Sequence, residues 1–277
     1  MTPWTMVEPC AGSAAVTYHL LGAKRAVLPF QGSKWRYRRA IESLIRKNGF
    51  TGPPAEVVLT DRGPWGPVHR LLIGDGREEV IRYLESFDQQ DAECVYLALQ
   101  GHGASRDPAL RAAEFLFLQR LAFSGKAVGL RDGRWVSAGF NRSSAYGIPA
   151  TDKFGAVKPM IKSLITVLES YADLHRPIVS GGQFDAGDFQ VVDKRTFVLL
   201  DPPYAGTTPY PGASLPRERV VELALRWRDA GAVVCVCEAW PIQELVDVGF
   251  QASQVDSVRK DGSPFKSKKA EYLTSYP

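Results

Sequence analysis

The chain has 277 residues, of which 45% are hydrophobic and 23% charged, enough for one large domain or for a core with an inserted subdomain. Its longest apolar runs, such as residues 232–237, are far shorter than the roughly 20 residues of a membrane helix, and no secretory signal is visible at the N-terminus. The 25 glycines and 19 prolines follow no period, which excludes a collagen-like or low-complexity chain. We therefore expect a soluble globular protein of the cytoplasm with no membrane partner.

The cysteines and the charge give weaker constraints. None of the four cysteines forms a C-x-x-C pair, so we expect neither a disulfide framework nor a metal site. Cys235 and Cys237 alternate within an apolar run, which predicts two small core residues on one face of a strand. The formal net charge of +4 permits a polyanionic partner without demanding one. The basic clusters at residues 34–39 and 260–269 are either solvated surfaces or phosphate contacts.

In chain order, apolar runs alternate with segments of helical spacing. Strands are predicted at residues 5–8, 55–60, 196–200, 232–237 and, as a last edge strand, 271–275. Helices are predicted at residues 40–46, 78–87, 109–121, 158–171 and 217–229, with a hairpin turn at residues 132–133. This alternation predicts an α/β fold with a largely parallel sheet. The rhythm breaks between residues 74 and 155, which predicts an inserted subdomain with the helix at 109–121 in its core.

The sequence Asp201-Pro202-Pro203-Tyr204 directly follows the predicted strand at 196–200. An acid at this point lies at the carboxyl edge of a sheet, where open α/β folds bind ligands. The two prolines hold the backbone extended, so that one of their carbonyls can face a cleft. Asp201 and the Pro202 carbonyl could then accept the two N–H bonds of an exocyclic amine on a planar base, with Tyr204 against its ring. The structural alternative is a proline turn that only caps the strand.

A second segment, between the first predicted strand and a helix, is rich in small residues. It reads Glu8, Pro9, Cys10, Ala11, Gly12, Ser13 and Ala14. Small residues at such a turn let an anionic or adenosyl ligand approach the backbone. Asp61 ends the second predicted strand, a position where nucleotide-binding α/β folds commonly hold a ribose diol.

Together these segments resemble the Dam-type (adenine-N6, DPPY) DNA methyltransferases, which depend on S-adenosylmethionine, and the resemblance covers most of the chain. Residues 8–14 resemble the family's first cofactor motif, with Cys10 where an aromatic is usual and Ala14 where a second glycine is common. Residues 30–35 resemble its aromatic-x-Gly-Gly-Lys motif, with Ser33 replacing the second glycine. Weaker matches are Gly139-Phe140-Asn141, Tyr146-Gly147-Ile148-Pro149, Lys153-Phe154-Gly155, Asp188-Phe189 and Lys269-Ala270-Glu271-Tyr272-Leu273.

One feature departs from the family order. The Gly-Lys motif normally precedes the first cofactor motif, whereas here residues 30–35 follow it. Either the segment reaches the same side of the cofactor in a permuted order, or it is a basic aromatic loop that contacts phosphate.

The resemblance implies a Rossmann-like class I methyltransferase sheet, formed by residues 1–73 and 156–277, with a mainly helical target-recognition subdomain at 74–155. It implies methyl transfer from S-adenosylmethionine to adenine N6 in DNA, with S-adenosylhomocysteine as the second product. Asp201, Pro202, Pro203 and Tyr204 would form the catalytic segment, with Tyr204 stacked on a flipped base. The implied cofactor residues are Glu8, Pro9, Cys10, Ala11, Gly12, Ser13, Phe30, Lys34, Asp61, Asp188 and Phe189. The implied nucleic-acid contacts are Arg36, Arg38, Arg39, Arg131, Arg134, Asn141 and Arg142.

Several alternatives remain at this stage. Cytosine-N4 and RNA-base methylation use similar chemistry, and a catalytically inactive DNA-binding regulator could keep the same fold. A cytosine-C5 enzyme needs a nucleophilic cysteine after the catalytic strand, whereas Cys10 lies in the cofactor turn. The family fits a bacterial or phage-infected cell, in restriction-modification or phage biology, and we expect a monomer or weak dimer.

Overall fold

The structure, a computed structural model, describes residues 2–28, 33–123, 126–141, 153–182, 195–204, 215–256 and 270–277. The strands are β1 (Thr5–Glu8), β2 (Glu56–Thr60), β3 (Gly129–Arg131), β4 (Arg134–Val136), β5 (Ile178–Gly182), β6 (Thr196–Leu200), β7 (Val233–Glu238), β8 (Gln251–Asp256) and β9 (Ala270–Tyr276). The helices are α1 (Ala15–Leu20), α2 (Arg38–Lys47), α3 (Trp65–Ile73), α4 (Arg77–Asp88), α5 (Ala92–Gly101), α6 (Pro108–Leu121), α7 (Lys153–Ser170), α8 (Arg217–Asp229) and α9 (Gln243–Val246). Short 3₁₀ turns span Lys34–Arg36 and Tyr171–Asp173.

Seven strands form one mixed, mostly parallel sheet in the order β5-β2-β1-β6-β7-β9-β8, so the predicted α/β class is confirmed. All five residues of β6 are buried, because a central parallel strand is covered on both faces and therefore reads as a continuous apolar run. Cys235 and Cys237 lie in the apolar cluster on one face of the sheet, and Val234 and Val236 lie in the cluster on the other. The prediction that the two cysteines are core residues on one face is therefore confirmed.

The connections reverse direction between β1 and β6. The strands that follow β1 in the chain, β2 and then β5, are added on one side of it, and the strand that follows β6, β7, is added on the opposite side. Neighbouring strands whose connections leave in opposite directions create a crevice at their carboxyl ends, where open α/β sheets bind ligands. The fold therefore places such a crevice after Glu8 and Leu200.

The prediction of a last edge strand at residues 271–275 is wrong in its position. β9 pairs antiparallel with both β7 and β8, so it lies inside the sheet and β8 forms the edge. The sequence of β8 is Gln-Ala-Ser-Gln-Val-Asp, which has no apolar alternation. None is needed, since residues 251–254 are exposed. Its pairing depends on backbone hydrogen bonds, which leave no pattern in the side chains.

Between β2 and β5 the chain forms helices α3 to α7 and the hairpin β3–β4. Helix α6 is buried at ten positions, in agreement with its prediction as core. The hairpin turn is also confirmed: Asp132 and Gly133 have φ values of 52° and 72°, as a two-residue type I′ turn requires. Apolar residues of α4 and α6 belong to the same cluster as one face of the large sheet. The division at residues 74 and 155 stays a prediction.

Two elements, α3 and β5, gave no clear signal in the sequence. Helix α3 contains Gly66 and Pro67, but the proline lies in the first turn, where its missing N–H costs no helical hydrogen bond. Strand β5 ends in two glycines and pairs only with β2 among the described strands. Among the helices in the described ranges, none has the length and apolar character needed to cross a bilayer.

Candidate functional site

Three acidic residues lie at the carboxyl ends of the neighbouring strands β2, β1 and β6, where the crevice is. Glu8 ends β1, Asp61 directly follows β2 and Asp201 directly follows β6. These strands are parallel and in register, with Val7 opposite both Val58 and Val198. Their carboxyl ends therefore lie at one edge of the sheet.

Glu8 is buried and is held by the third residue of helix α1. One carboxylate oxygen accepts hydrogen bonds from the Thr17 backbone N–H at 3.0 Å and from its hydroxyl at 2.5 Å. Burial raises the pKa of Glu8 to about 7; the bonds from Thr17 oppose this shift, and the charge of Asp201 adds to it. Glu8 thus caps α1 and keeps an acidic group in the crevice.

We expect Glu8→Gln to stabilise the protein at pH 8 and to do so much less at pH 5. A carboxyl whose folded pKa is raised contributes stability below its unfolded pKa, here 4.5, and loses that contribution as pH rises through about 7. The glutamine keeps the acceptor oxygen for Thr17 without this loss, so we expect its stabilising effect to be about 2–3 kcal/mol larger at pH 8 than at pH 5. Urea unfolding at both pH values measures it.

Glu42→Gln is the matched control for this prediction. Hydrogen bonds from Arg46 and His19 lower the pKa of Glu42, so its contribution to stability is present at high pH and is lost as pH falls. Both pH 5 and pH 8 lie above its unfolded pKa of 4.5, so we expect Glu42→Gln to cost a similar amount of stability at the two pH values. An equal effect of Glu8→Gln at both pH values would contradict a raised pKa at Glu8.

The turn after β1 is tied to the end of β2. The Ala11 N–H donates to the Thr60 carbonyl at 2.9 Å, and the Thr60 hydroxyl donates to the Pro9 carbonyl at 3.0 Å. Asp61 accepts from the Gly12 N–H at 3.0 Å and, through its other oxygen, from the Gly63 N–H at 2.6 Å. Each carboxylate oxygen accepts more than one bond, so Asp61 can position this turn and still accept from a ligand hydroxyl.

His69 of α3 also holds this turn, and the sequence gave no indication of it. Its Nε2 lies 2.8 Å from the Gly12 carbonyl and its Nδ1 lies 3.2 Å from the Tyr18 hydroxyl. A carbonyl can only accept, so Nε2 carries the proton and the Tyr18 hydroxyl donates to Nδ1. Burial lowers the pKa of His69 to about 4, which keeps it neutral, and its ring stacks on Trp65 with centroids 5.5 Å apart. Helix α3 therefore supports the turn directly.

Lys34 lies in the crevice beside the Asp201 carboxylate. Its Nζ is 2.6 Å from Asp201 Oδ1 and 3.2 Å from Glu271 Oε1 of β9, and 4.7 Å from the centre of the Tyr204 ring. Burial by itself would lower the pKa of Lys34, but the surrounding acidic groups, led by Asp201, raise it. Burial raises the pKa of Asp201 to about 6, although Lys34 opposes that shift. The ammonium and Asp201 thus form a buried ion pair.

The same carboxylates could also be considered as metal ligands. Asp201, Cys237 and Glu271 offer ligand atoms within 4.8 Å of one another. The Lys34 ammonium, however, lies in contact with both carboxylates. A divalent cation would have to displace this charge, so the arrangement favours an ion-pair network.

Lys34 reaches this position from the 3₁₀ turn Lys34–Arg36, which begins at the lysine of the displaced Gly-Lys motif. The Ser33 hydroxyl accepts from the Trp35 N–H at 3.4 Å. It lies 3.1 Å from the Ser13 hydroxyl, which belongs to the turn that follows β1. This contact and the Lys34–Asp201 pair place the described residues of the segment beside the turn that follows β1 and beside the end of β6. Phe30, in the same motif, lies outside the described residues.

The predicted nucleic-acid residues fall into two groups. Arg36 and Arg39 are exposed near α2, whereas Arg38 donates from Nη1 to the Trp35 carbonyl at 2.5 Å and covers the Trp35 ring. Arg131 and Arg134 are exposed and opposite each other in the hairpin. The backbone N–H of Asn141 donates to the Leu121 carbonyl at 2.9 Å, at the end of α6. Arg142, Asp188 and Phe189 are outside the described ranges.

Comparisons with known proteins add little to this geometry. Neither a protein family model nor a curated protein matches the chain. Among solved structures, the chain is similar to the rRNA methyltransferase AviRa from Streptomyces viridochromogenes, with 14% sequence identity and a TM-score of 0.29, over 99% of this chain and 76% of that chain. A TM-score this low does not carry function from one chain to the other.

Proposed function

We propose that the protein is an S-adenosylmethionine-dependent methyltransferase that acts on adenine N6 in DNA. The observation that carries the proposal is the crevice between β1 and β6. There the segment Asp201-Pro202-Pro203-Tyr204 lies beside the turn at residues 8–14, which we call the Glu8 turn. The sheet order supports it. If the seven strands of the large sheet are numbered 1 to 7 in chain order, leaving out the hairpin, their order in the sheet is 3-2-1-4-5-7-6, and strand 7 is antiparallel to its neighbours. This arrangement is typical of class I methyltransferases.

The charges of the crevice fit this cofactor. Asp201 and Glu271 contact the Lys34 ammonium and Glu8 interacts with it electrostatically, while Asp61 adds a further carboxylate at the same edge of the sheet. Such an edge repels an anionic ligand and attracts a cationic one. The sequence of the turn is compatible with either an anionic or an adenosyl ligand, and the charges favour the adenosyl one. S-adenosylmethionine carries a sulfonium and an ammonium, and when bound it supplies an electrophilic methyl group.

The turn between β1 and α1 would hold the cofactor's methionine end. Gly12 has a φ of 46°, a left-handed conformation in which the missing side chain leaves the backbone open to a ligand. Ala14 shares this conformation with a φ of 44°, at the position where the resembled family commonly has glycine. The backbone therefore keeps the shape of that motif despite the substitution. Asp61, on the β2 side, would accept from the ribose hydroxyls.

Asp201 and the Pro202 carbonyl would act on the acceptor amine. The lone pair of adenine N6 is delocalised into the ring, which makes the amine a weak nucleophile. Two hydrogen bonds donated to Asp201 and Pro202 would hold the amine in line with the methyl group and favour a more tetrahedral nitrogen. Tyr204 would stack on the base, which must leave the duplex to reach this depth.

The exposed arginines of the proposal would contact phosphates. Arg36 and Arg39 lie close in sequence to Lys34, and Arg131 and Arg134 form the basic tip of the hairpin. Contacts of this kind give affinity that falls steeply with salt concentration.

Transfer of labelled methyl from S-adenosylmethionine to unmethylated DNA, followed by nucleoside analysis, tests the proposal. We expect N6-methyladenine. N4-methylcytosine would instead indicate the cytosine reaction on the same crevice, and product only with RNA would change the substrate. Cofactor binding should be measured in parallel by equilibrium dialysis. DNA binding without cofactor binding would indicate an inactive regulator on this fold.

A further inference from the structure

Trp240 follows the carboxyl end of β7, the strand that neighbours β6 on the side away from β1. Leu200 pairs with Val236 in the parallel register of β6 and β7, so Asp201 follows β6 at the level where β7 is ending. Glu238 is the last residue of β7, and Trp240 comes two residues later. The Glu8 turn follows β1, on the opposite side of β6, and Asp61 follows β2, one strand further away. A cofactor held by that turn leaves the β7 side for the substrate.

The exposure of Trp240 is unusual for its residue type. Its surface is 72% exposed, whereas Trp35 is half-buried and the other four tryptophans are buried; these are Trp4, Trp65, Trp135 and Trp227. Large aromatic side chains are normally well buried in a folded chain. The other exposed large apolar side chains of the described ranges are Leu97, Phe123, Ile178 and Val248.

The loop that carries Trp240 is fixed at both ends. The Ala239 N–H donates to the Glu238 carboxylate at 2.9 Å, and Pro241 restricts the backbone after the tryptophan. Ile242, 1% exposed, anchors the far end in the core. The Arg217 guanidinium donates two hydrogen bonds to Glu244, at 3.1 and 2.8 Å, and ties the following helix to α8. The indole is thus presented on an ordered support, which reduces the entropy cost of binding.

We propose that Trp240 stacks on a base of the DNA strand adjacent to the acceptor base, as a substrate-positioning residue. This inference rests on the proposed function, because it requires a nucleic acid at Asp201 and Tyr204. Extrusion of one base leaves its neighbours unstacked, and an indole offers any base a flat apolar face. Such stacking changes affinity by roughly 5- to 150-fold when the aromatic is removed, with little dependence on sequence.

The test compares wild type with Trp240→Leu and Trp240→Phe, using a short single-stranded oligodeoxynucleotide of mixed sequence in the presence of S-adenosylhomocysteine. We expect Trp240→Leu to weaken binding at least about fivefold and to raise KM for DNA by a similar factor, with the affinity for S-adenosylhomocysteine unchanged. Trp240→Phe should retain most of the affinity. Val248→Ala, at another exposed apolar position, is the control and should bind as wild type.

Intrinsic fluorescence gives a second readout. Because Trp240 is the one strongly exposed tryptophan, we expect the oligodeoxynucleotide to quench the wild-type signal and to leave Trp240→Phe largely unquenched. If Trp240→Leu bound the oligodeoxynucleotide with wild-type affinity, the inference would be overturned. It would also be overturned if raising the protein concentration alone quenched the fluorescence, because that would identify a second copy of the chain as the occupant. A wild type that binds cofactor but methylates no DNA would instead overturn the proposed function. Product with RNA, lost in Trp240→Leu, would keep the stacking role and change the nucleic acid.

Discussion

Asp201→Ala is expected to reduce methyl transfer by at least about 10²- to 10³-fold, while the affinity for S-adenosylmethionine changes little. Removing one well-positioned polar group that stabilises a transition state costs about this much. Asp201 lies on the β6 side of the crevice, and the residues expected to hold the cofactor come from the ends of β1 and β2. Single-turnover transfer of labelled methyl and equilibrium dialysis with the cofactor measure the two quantities separately.

Asp201→Asn is the matched control for this experiment. It preserves the shape and one acceptor oxygen but removes the negative charge, so we expect an intermediate loss of rate. In both variants Glu271 still pairs with Lys34 at 3.2 Å, which leaves the buried ammonium with a counter-charge and the fold intact. Full activity of Asp201→Ala would show that the amine is positioned by other groups.

Lys34→Met is expected to destabilise the protein by about 3–5 kcal/mol, the typical cost of removing one partner from a buried ion pair. The side chain of Lys34 is 6% exposed and contacts two carboxylates, which would remain charged or take up protons in the folded state. Lys34→Arg keeps the charge but replaces a compact ammonium with a planar fork, so we expect a smaller loss. Urea unfolding of the three proteins gives the free energies.

A double-mutant cycle isolates the interaction of Lys34 with Asp201. We expect Lys34→Met combined with Asp201→Asn to cost less than the sum of the single changes, because the neutral asparagine no longer needs the ammonium. Directly contacting residues typically show coupling energies of about 0.5–3 kcal/mol. Additive losses would mean that Lys34 stabilises the fold through its packing or through Glu271 alone.

The sequence by itself determined the central strands and the acids that end them. Strand β6 and helix α8 have the predicted ends, and the hairpin turn at Asp132 and Gly133 was predicted from its residue types. Local chemistry suffices in these cases: a buried parallel strand must be continuously apolar, and a tight turn needs residues that tolerate a positive φ. The position of Asp201 at the ligand-binding edge follows from the strand before it.

Only the tertiary structure decided what these acids contact. Lys34 pairs with Asp201 and Glu271, and His69 holds the Gly12 carbonyl; each contact joins residues distant in the chain. Local periodicity contains no information about such pairs, because they depend on how the loops close and how the helices pack on the sheet. For the same reason the interior position of β9 was not predictable: it depends on the polar strand β8, which joins the sheet through its backbone.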